Sequence, residues 1–146
     1  KYMIMVSACL LGENCRYDGG SKPCKEVIDV IKGCDYKPFC PECLGKMTIP
    51  RKPCEIVGGD GYDVLNGEAR VLNSENEDMT DFYIAGAKAA LKMAQELSPK
   101  RIILKANSPS CGCGAIYDGT FCGKKIEGDG VTAALLKKNG FQVETE

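Results

Sequence analysis

The chain has 146 residues, 44% of them hydrophobic and 27% charged, with a formal net charge of −1 and a pI near 5.6. Those proportions fit one ordinary globular domain with a buried core, and they supply no overall attraction to nucleic acid or to an anionic membrane. There are ten cysteines and no histidine, which excludes Ser-His-Asp triads, Cys–His dyads and every imidazole-ligated zinc site, leaving thiolate, carboxylate, lysine, tyrosine or metal-bound water for acid–base work.

Met3–Ser7 is a short continuous apolar run, the pattern of a buried parallel strand. Gly12 and Asp18-Gly19-Gly20 mark a loop, and Val27, Ile28 and Ile31 then predict a helix over Lys25–Ile31 that Gly33 can end. A second strand is predicted over Tyr36–Phe39, with Pro38 near its end because proline gives a ladder no donor. Residues 50–78 contain two β-like runs, Asp63–Leu65 and Ala69–Leu72, and the Asn66-Gly67 between them reads as a hairpin turn. Thr80 is the expected cap of the clearest helix. Its stripe is read as Phe82, Ile84, Ala85, Ala89, Leu91, Ala94 and Leu97, and Ser98-Pro99 stops it. Arg101–Lys105 is a third strand. After a Ser-Pro-Ser-Cys-Gly-Cys-Gly loop and a glycine-rich stretch, Thr132–Lys138 predicts a helix and Phe141–Glu144 a last strand.

This alternation predicts an α/β chain: a Rossmann-like three-layer fold with a mostly parallel sheet and a small β-hairpin excursion, in a single domain over 1–146. A mixed-sheet α+β domain is the alternative. No run approaches the roughly 20 apolar residues of a membrane span. Because these patterns supply a core, a disulfide scaffold is unnecessary, so the thiols are expected reduced and the compartment cytoplasmic.

Cys9, Cys40 and Cys111 each stand just past a predicted strand, and ligands of open α/β sheets collect outside the carboxyl ends of strands. Three thiolates would leave a metal centre one open position, as catalytic sites do, and soft sulfur selects iron–sulfur clusters, zinc or Cu(I). Two competing readings stay open. One is a structural four-cysteine zinc site from Cys40, Cys43, Cys111 and Cys113; the other is a thiol redox protein built on Cys40 and Cys43. Cys24, Cys34, Cys54 and Cys122 read as plainly buried thiols. Glu42, two residues past Cys40, is a candidate proton carrier at the cavity rim. In Ser108-Pro109-Ser110-Cys111-Gly112, the proline holds Ser108 extended and its hydroxyl presented, while Gly112 and Gly114 would let amides approach cluster sulfurs. The bland reading of that segment is a tight turn whose hydroxyls satisfy local amides. Arg16, Lys22, Arg51 and Lys105 could hold a polar or anionic substrate.

Val6-Ser-Ala-Cys-Leu-Leu-Gly12, Cys15-Arg-Tyr-Asp-Gly19, Cys40-Pro-Glu42, Pro50-Arg51, Lys105, Ser108-Pro-Ser-Cys-Gly112, Tyr117-Asp-Gly-Thr-Phe121 and Gly130-Val-Thr-Ala-Ala-Leu-Leu136 stand in that order. Together they resemble the thiouracil desulfidase family over essentially the whole chain. The resemblance implies an oxygen-sensitive 4Fe-4S cluster held by Cys9, Cys40 and Cys111, with Glu42 as catalytic carboxylate and Ser108, in preference to Ser110, as catalytic serine. Cys15 falls where similar proteins often have an apolar residue, and Leu44-Gly-Lys-Met47 departs from a more glycine-rich pattern. The activity implied is non-redox removal of sulfur, as sulfide, from a small thiolated pyrimidine, with no nucleic-acid or membrane partner. Whether the protein is a monomer or a homodimer is open.

Overall fold

The structure, a computed structural model, describes residues 3–146. Its elements are β1 (Met3–Ser7), a 3-10 turn (Ala8–Leu11), α1 (Lys25–Ile31), β2 (Asp35–Phe39), α2 (Pro41–Leu44), β3 (Cys54–Val57), α3 (Gly61–Leu65), β4 (Arg70–Asn73), α4 (Thr80–Leu97), β5 (Arg101–Leu104), β6 (Ala115–Tyr117), β7 (Lys125–Glu127), α5 (Val131–Lys138) and β8 (Val143–Thr145). The main sheet has the order β2-β1-β5-β8 and is parallel throughout, with Val6 opposite both Pro38 and Ile103. Pro38 is tolerated because β2 is an edge strand, where one side of the ladder needs no donor.

The continuous apolar runs of β1 and β5 follow from burial on both faces. Ile4, Val6 and Ile103 pack with Val27 and Ile31 of α1, whereas Met5, Ile102 and Leu104 pack with Ala90 and Ala94 of α4 and Ala133 and Leu136 of α5. These are the three layers. Full burial of each of the larger side chains, the valines, isoleucines, leucines and Met5, contributes about 1.5–3 kcal/mol. No helix among the described residues is long and apolar enough to cross a membrane.

A second core forms where α4 and α5 meet the excursion, around Ile56, Val64, Val71, Tyr83, Ile116 and Val131. The excursion is an antiparallel β3–β4 pair running from Cys54 opposite Asn73 to Val57 opposite Arg70. One strand was therefore misplaced: Asp63–Leu65 belongs to α3. Asp60 caps that helix by accepting from the Tyr62 and Asp63 amides at 3.1 and 3.3 Å, and the Asp63 carboxylate accepts from the Asp60 N–H at 2.9 Å. This reciprocal box outcompetes the β-like Val64-Leu65. Asn66-Gly67 then terminates a helix instead of turning a hairpin, with Gly67 at φ +79°. A further antiparallel pair, β6–β7, had no counterpart in the sequence reading.

The buried face of α4 also differs from the expected stripe. Tyr83, Gly86, Ala87, Ala90 and Ala94 are buried, whereas Phe82 is 43% exposed. Nor is Thr80 the cap: Met79 holds that position, and the Thr80 hydroxyl accepts from the Val71 N–H at 3.0 Å, tying α4 to β4. Small residues are buried because α2 lies backbone-to-backbone on α4. A Cβ on Gly86 would stand 2.1 Å from the Pro41 carbonyl oxygen, and one on Gly45 would stand 2.4 Å from that of Phe82. Gly86→Ala is accordingly expected to destabilise the protein by about 1–3 kcal/mol, read as a lowered thermal midpoint. It would also push α2, which carries Glu42, away from Tyr83.

Candidate active site

β1 is followed by a crossover to β2 on one side, while β5 is followed by one to β8 on the other. The connections thus diverge between β1 and β5, and the carboxyl ends of these strands flank the crevice where open α/β sheets bind ligands. A cavity of about 540 Å³ lies there, within the size range of small-molecule sites. Cys9 from the turn after β1, Cys40 from the cap of α2 and Cys111 from the loop after β5 all line it, and so do Glu42 and Ser108. All five candidate site residues therefore share one hollow.

Cys9 and Cys111 are buried, 7% and 4% exposed, and Cys40 is half-buried. The Ser7 hydroxyl lies 4.0 Å from the Cys111 sulfur and accepts from the Lys105 N–H at 3.0 Å, joining the ends of β1 and β5 beneath that thiol. Desolvation pushes the Cys111 thiol up to about 12, with the Glu42 charge adding to it. Cys40 is raised as well, first by its hydrogen bond with Cys15 and then by burial. Buried thiols held neutral in this way ionise only when something compensates the charge, and a metal does so.

Among the described residues, no group of three or more Cys, Asp or Glu side chains closes on a point that one metal ion could occupy. A mononuclear tetrahedral zinc site needs that convergence. A cluster does not, because each cysteine binds its own iron and sulfide bridges the irons. The four-cysteine zinc set is also not assembled. Cys43 and Cys113 do not line the cavity, and the Cys113 thiol donates instead to the Val143 carbonyl at 3.8 Å. A 4Fe-4S cluster fits the donors present: five cysteines line the one cavity, Cys9, Cys40 and Cys111 among them, and the chain has no imidazole.

Glu42 sits in the first turn of α2, where the helix terminus favours a negative charge. Its Oε2 accepts from the Tyr83 hydroxyl at 2.7 Å and lies 3.2 Å from Arg51 Nη2. Burial lowers the Arg51 guanidinium's affinity for its proton, but Glu42, Tyr83 and Cys40 together outweigh this and raise it, Glu42 most of all. Burial is also the main reason that Tyr83 is raised, followed by the same carboxylate. Arg51 Nε is buried and has no hydrogen-bond partner among the described residues.

The Ser108 hydroxyl accepts from the Cys111 N–H at 2.7 Å, so the local-turn role and the place on the cavity wall coincide in one residue. Ser110 is buried against the Thr132 hydroxyl at 2.7 Å and lies off the cavity wall. The Gly112 and Gly114 amides are engaged elsewhere, by the Ser108 carbonyl and the Asp129 carboxylate. Gly112 is instead required by space, since a Cβ would meet the Ser108 and Ala115 carbonyls at 2.8 Å.

Several residues reach the cavity without having been singled out for it. Cys15, whose hydrogen bond with Cys40 lowers it, is nonetheless pushed up to about 12 by its bond with Cys9 and by burial. Cys54, Glu55 and Tyr83 also line the cavity. The buried Glu55 carboxylate accepts from the Gly119 and Phe121 amides at 2.9 and 3.1 Å, pinning the β6–β7 loop across the hollow from the sheet. Cys122, read as buried, is exposed. Of the cations, Arg16, Lys22 and Lys105 line the cavity, Arg16 lying 3.7 Å from Asp18 and Lys105 2.8 Å from Glu146, whereas Arg51 turns to Glu42.

Known proteins resemble this chain along its length. The chain is 49% identical over 144 residues to an uncharacterized protein of Bacillus subtilis strain 168, YbbK, covering 99% of this chain and 95% of that one. The solved structure of a 4Fe-4S-dependent thiouracil desulfidase, TudS, matches with a TM-score of 0.86 and 38% identity, over 100% of this chain and 91% of that one. Residues 4–146 match the sequence model of the 2-thiouracil desulfurase family. With the match spanning the described fold and the thiol-lined crevice, the chain belongs to the 2-thiouracil desulfurase family.

Proposed function

We propose that the protein is a 4Fe-4S-dependent desulfidase that replaces the thiocarbonyl sulfur of a small thiolated pyrimidine by oxygen. The observation that carries this reading is the meeting of Cys9, Cys40 and Cys111 with Glu42 around one cavity at the sheet's divergence point. When bound, a cluster held by three cysteines supplies an iron with an open position, a Lewis acid for a soft sulfur atom.

The chain's own residues do the rest. Phe39, Pro41, Pro109 and Tyr117 give the cavity apolar walls for a flat ring. Glu42 takes a proton from the water that adds to the thiocarbonyl carbon. The Ser108 hydroxyl, whose oxygen already accepts from the Cys111 amide, keeps its own proton to donate to a ring carbonyl or nitrogen and so orients the base. Water contributes its oxygen to the carbon, both of its hydrogens leave with sulfur as hydrogen sulfide, and no electrons change hands overall.

Anaerobic protein reconstituted with iron and sulfide and then freed of excess reagent tests this. The expected result is equimolar sulfide and uracil from 2-thiouracil or 4-thiouracil, with none from metal-free protein. A fully loaded protein that releases no sulfide from either compound would contradict the proposal.

A further inference from the structure

We infer that Tyr83 and Arg51 are positioning residues that clamp one oxygen of Glu42 and leave the other as the working oxygen facing the cavity. This rests on the reading of Glu42 as the proton carrier. Both contacts, the Tyr83 hydroxyl at 2.7 Å and Arg51 Nη2 at 3.2 Å, go to Oε2. Oε1 has no hydrogen bond among the described residues. A carboxylate held in this way cannot swing to offer either oxygen; it presents one lone-pair set toward water or substrate, and such orientation is a large part of general-base efficiency.

The clamp itself is built rigidly. Tyr83 is 2% exposed and stands on α4 one turn from Gly86, whose missing side chain lets the Pro41 carbonyl approach. The hydroxyl-to-carboxylate distance is therefore set by two helices in backbone contact, not by a mobile side chain. The Arg51 side chain, 6% exposed, is anchored by Nη1 to the Thr48 carbonyl at 3.2 Å and by Nη2 to the Cys15 carbonyl at 3.4 Å. It thus ties Glu42 to the loop that faces Cys40 from the other side, where the Cys40 thiol donates to that same Cys15 carbonyl at 3.9 Å.

A double-mutant cycle with Tyr83→Phe, Glu42→Gln and both together tests this on reconstituted holoenzyme. Tyr83→Phe is expected to lower kcat by about tenfold or more with KM changed less than about threefold. Bound iron per chain and the visible absorption of the cluster should match the parent. In the Glu42→Gln background the same substitution should change the residual rate by less than about twofold, because the oxygen it serves is no longer a base. Unchanged kcat in Tyr83→Phe, or an equal loss with and without Glu42, would overturn the positioning role. Should Tyr83→Phe fail to fold, Arg51→Lys, which keeps the charge but not the fork, enters the same cycle under the same two criteria. A Glu42→Gln enzyme at the parent's rate would instead overturn the assignment of Glu42 itself.

Discussion

The Cys111→Ser variant is expected to take up no 4Fe-4S cluster and to release no sulfide, while folding as the parent does. Serine is nearly isosteric and can occupy the pocket where Cys111 is buried beside Ser7. Packing and secondary structure should therefore survive, and the far-ultraviolet spectrum should not change. What is lost is a soft donor: a hydroxyl is a harder ligand and far less acidic than the thiol, so it cannot replace thiolate on iron. Cys9→Ser and Cys40→Ser should behave alike. Cys43→Ser and Cys113→Ser, off the cavity wall, should retain full iron content. Iron and sulfide analysis after anaerobic reconstitution separates the two groups; equal cluster content in all five variants would refute the assignment.

Glu42→Gln is expected to give the opposite pattern: full cluster content with sulfide release reduced by about 10²–10⁴, the usual contribution of a positioned general base. The amide keeps the shape and can still accept from Tyr83, but it cannot take a proton from water. Arg51 would be left without its anion. Two carbonyls still receive its donors, so the stability cost should fall at about 2–3 kcal/mol, below the loss seen when a fully buried pair is broken. Rates must then be read well below the lowered midpoint. Unimpaired turnover would show that the proton travels by another group.

Legibility from sequence tracked how local each cause is. β1, β5 and α1 were readable because runs such as Ile4–Val6 and Ile102–Leu104 carry their burial in their own composition. That Cys9, Cys40 and Cys111 reach one cavity was readable for a related reason, since each lies in the segment that follows a strand and the sheet brings strand ends together. The α4 stripe was misread because its contact face is made of Gly86, Ala87 and Ala90, residues that are buried by close approach and not by hydrophobicity. In α3, a two-carboxylate capping box overrode a β-like tripeptide and an Asn-Gly pair. β7 escaped notice because Lys125–Glu127 is exposed throughout and so lacks the one-sided apolar alternation of a half-buried strand.

At the site, the missing partners are long-range. Tyr83 meets Glu42 across 41 positions of chain, through a helix contact whose only local trace is the paired glycines at 45 and 86. Those two glycines were the available signal: a glycine inside a strong helix implies something packed against it. Arg51 was legible as a cation but not as the partner of Glu42, since no spacing rule connects α2 with the segment before β3.

The most direct measurement is a crystal structure of anaerobically reconstituted protein with anomalous data collected on both sides of the iron absorption edge. The account predicts one compact iron density in the cavity at the carboxyl ends of β1 and β5, with the sulfurs of Cys9, Cys40 and Cys111 each about 2.3 Å from a separate iron and Glu42 facing the remaining one. Iron bound outside that hollow, or a single metal ion held by another set of cysteines, would contradict it.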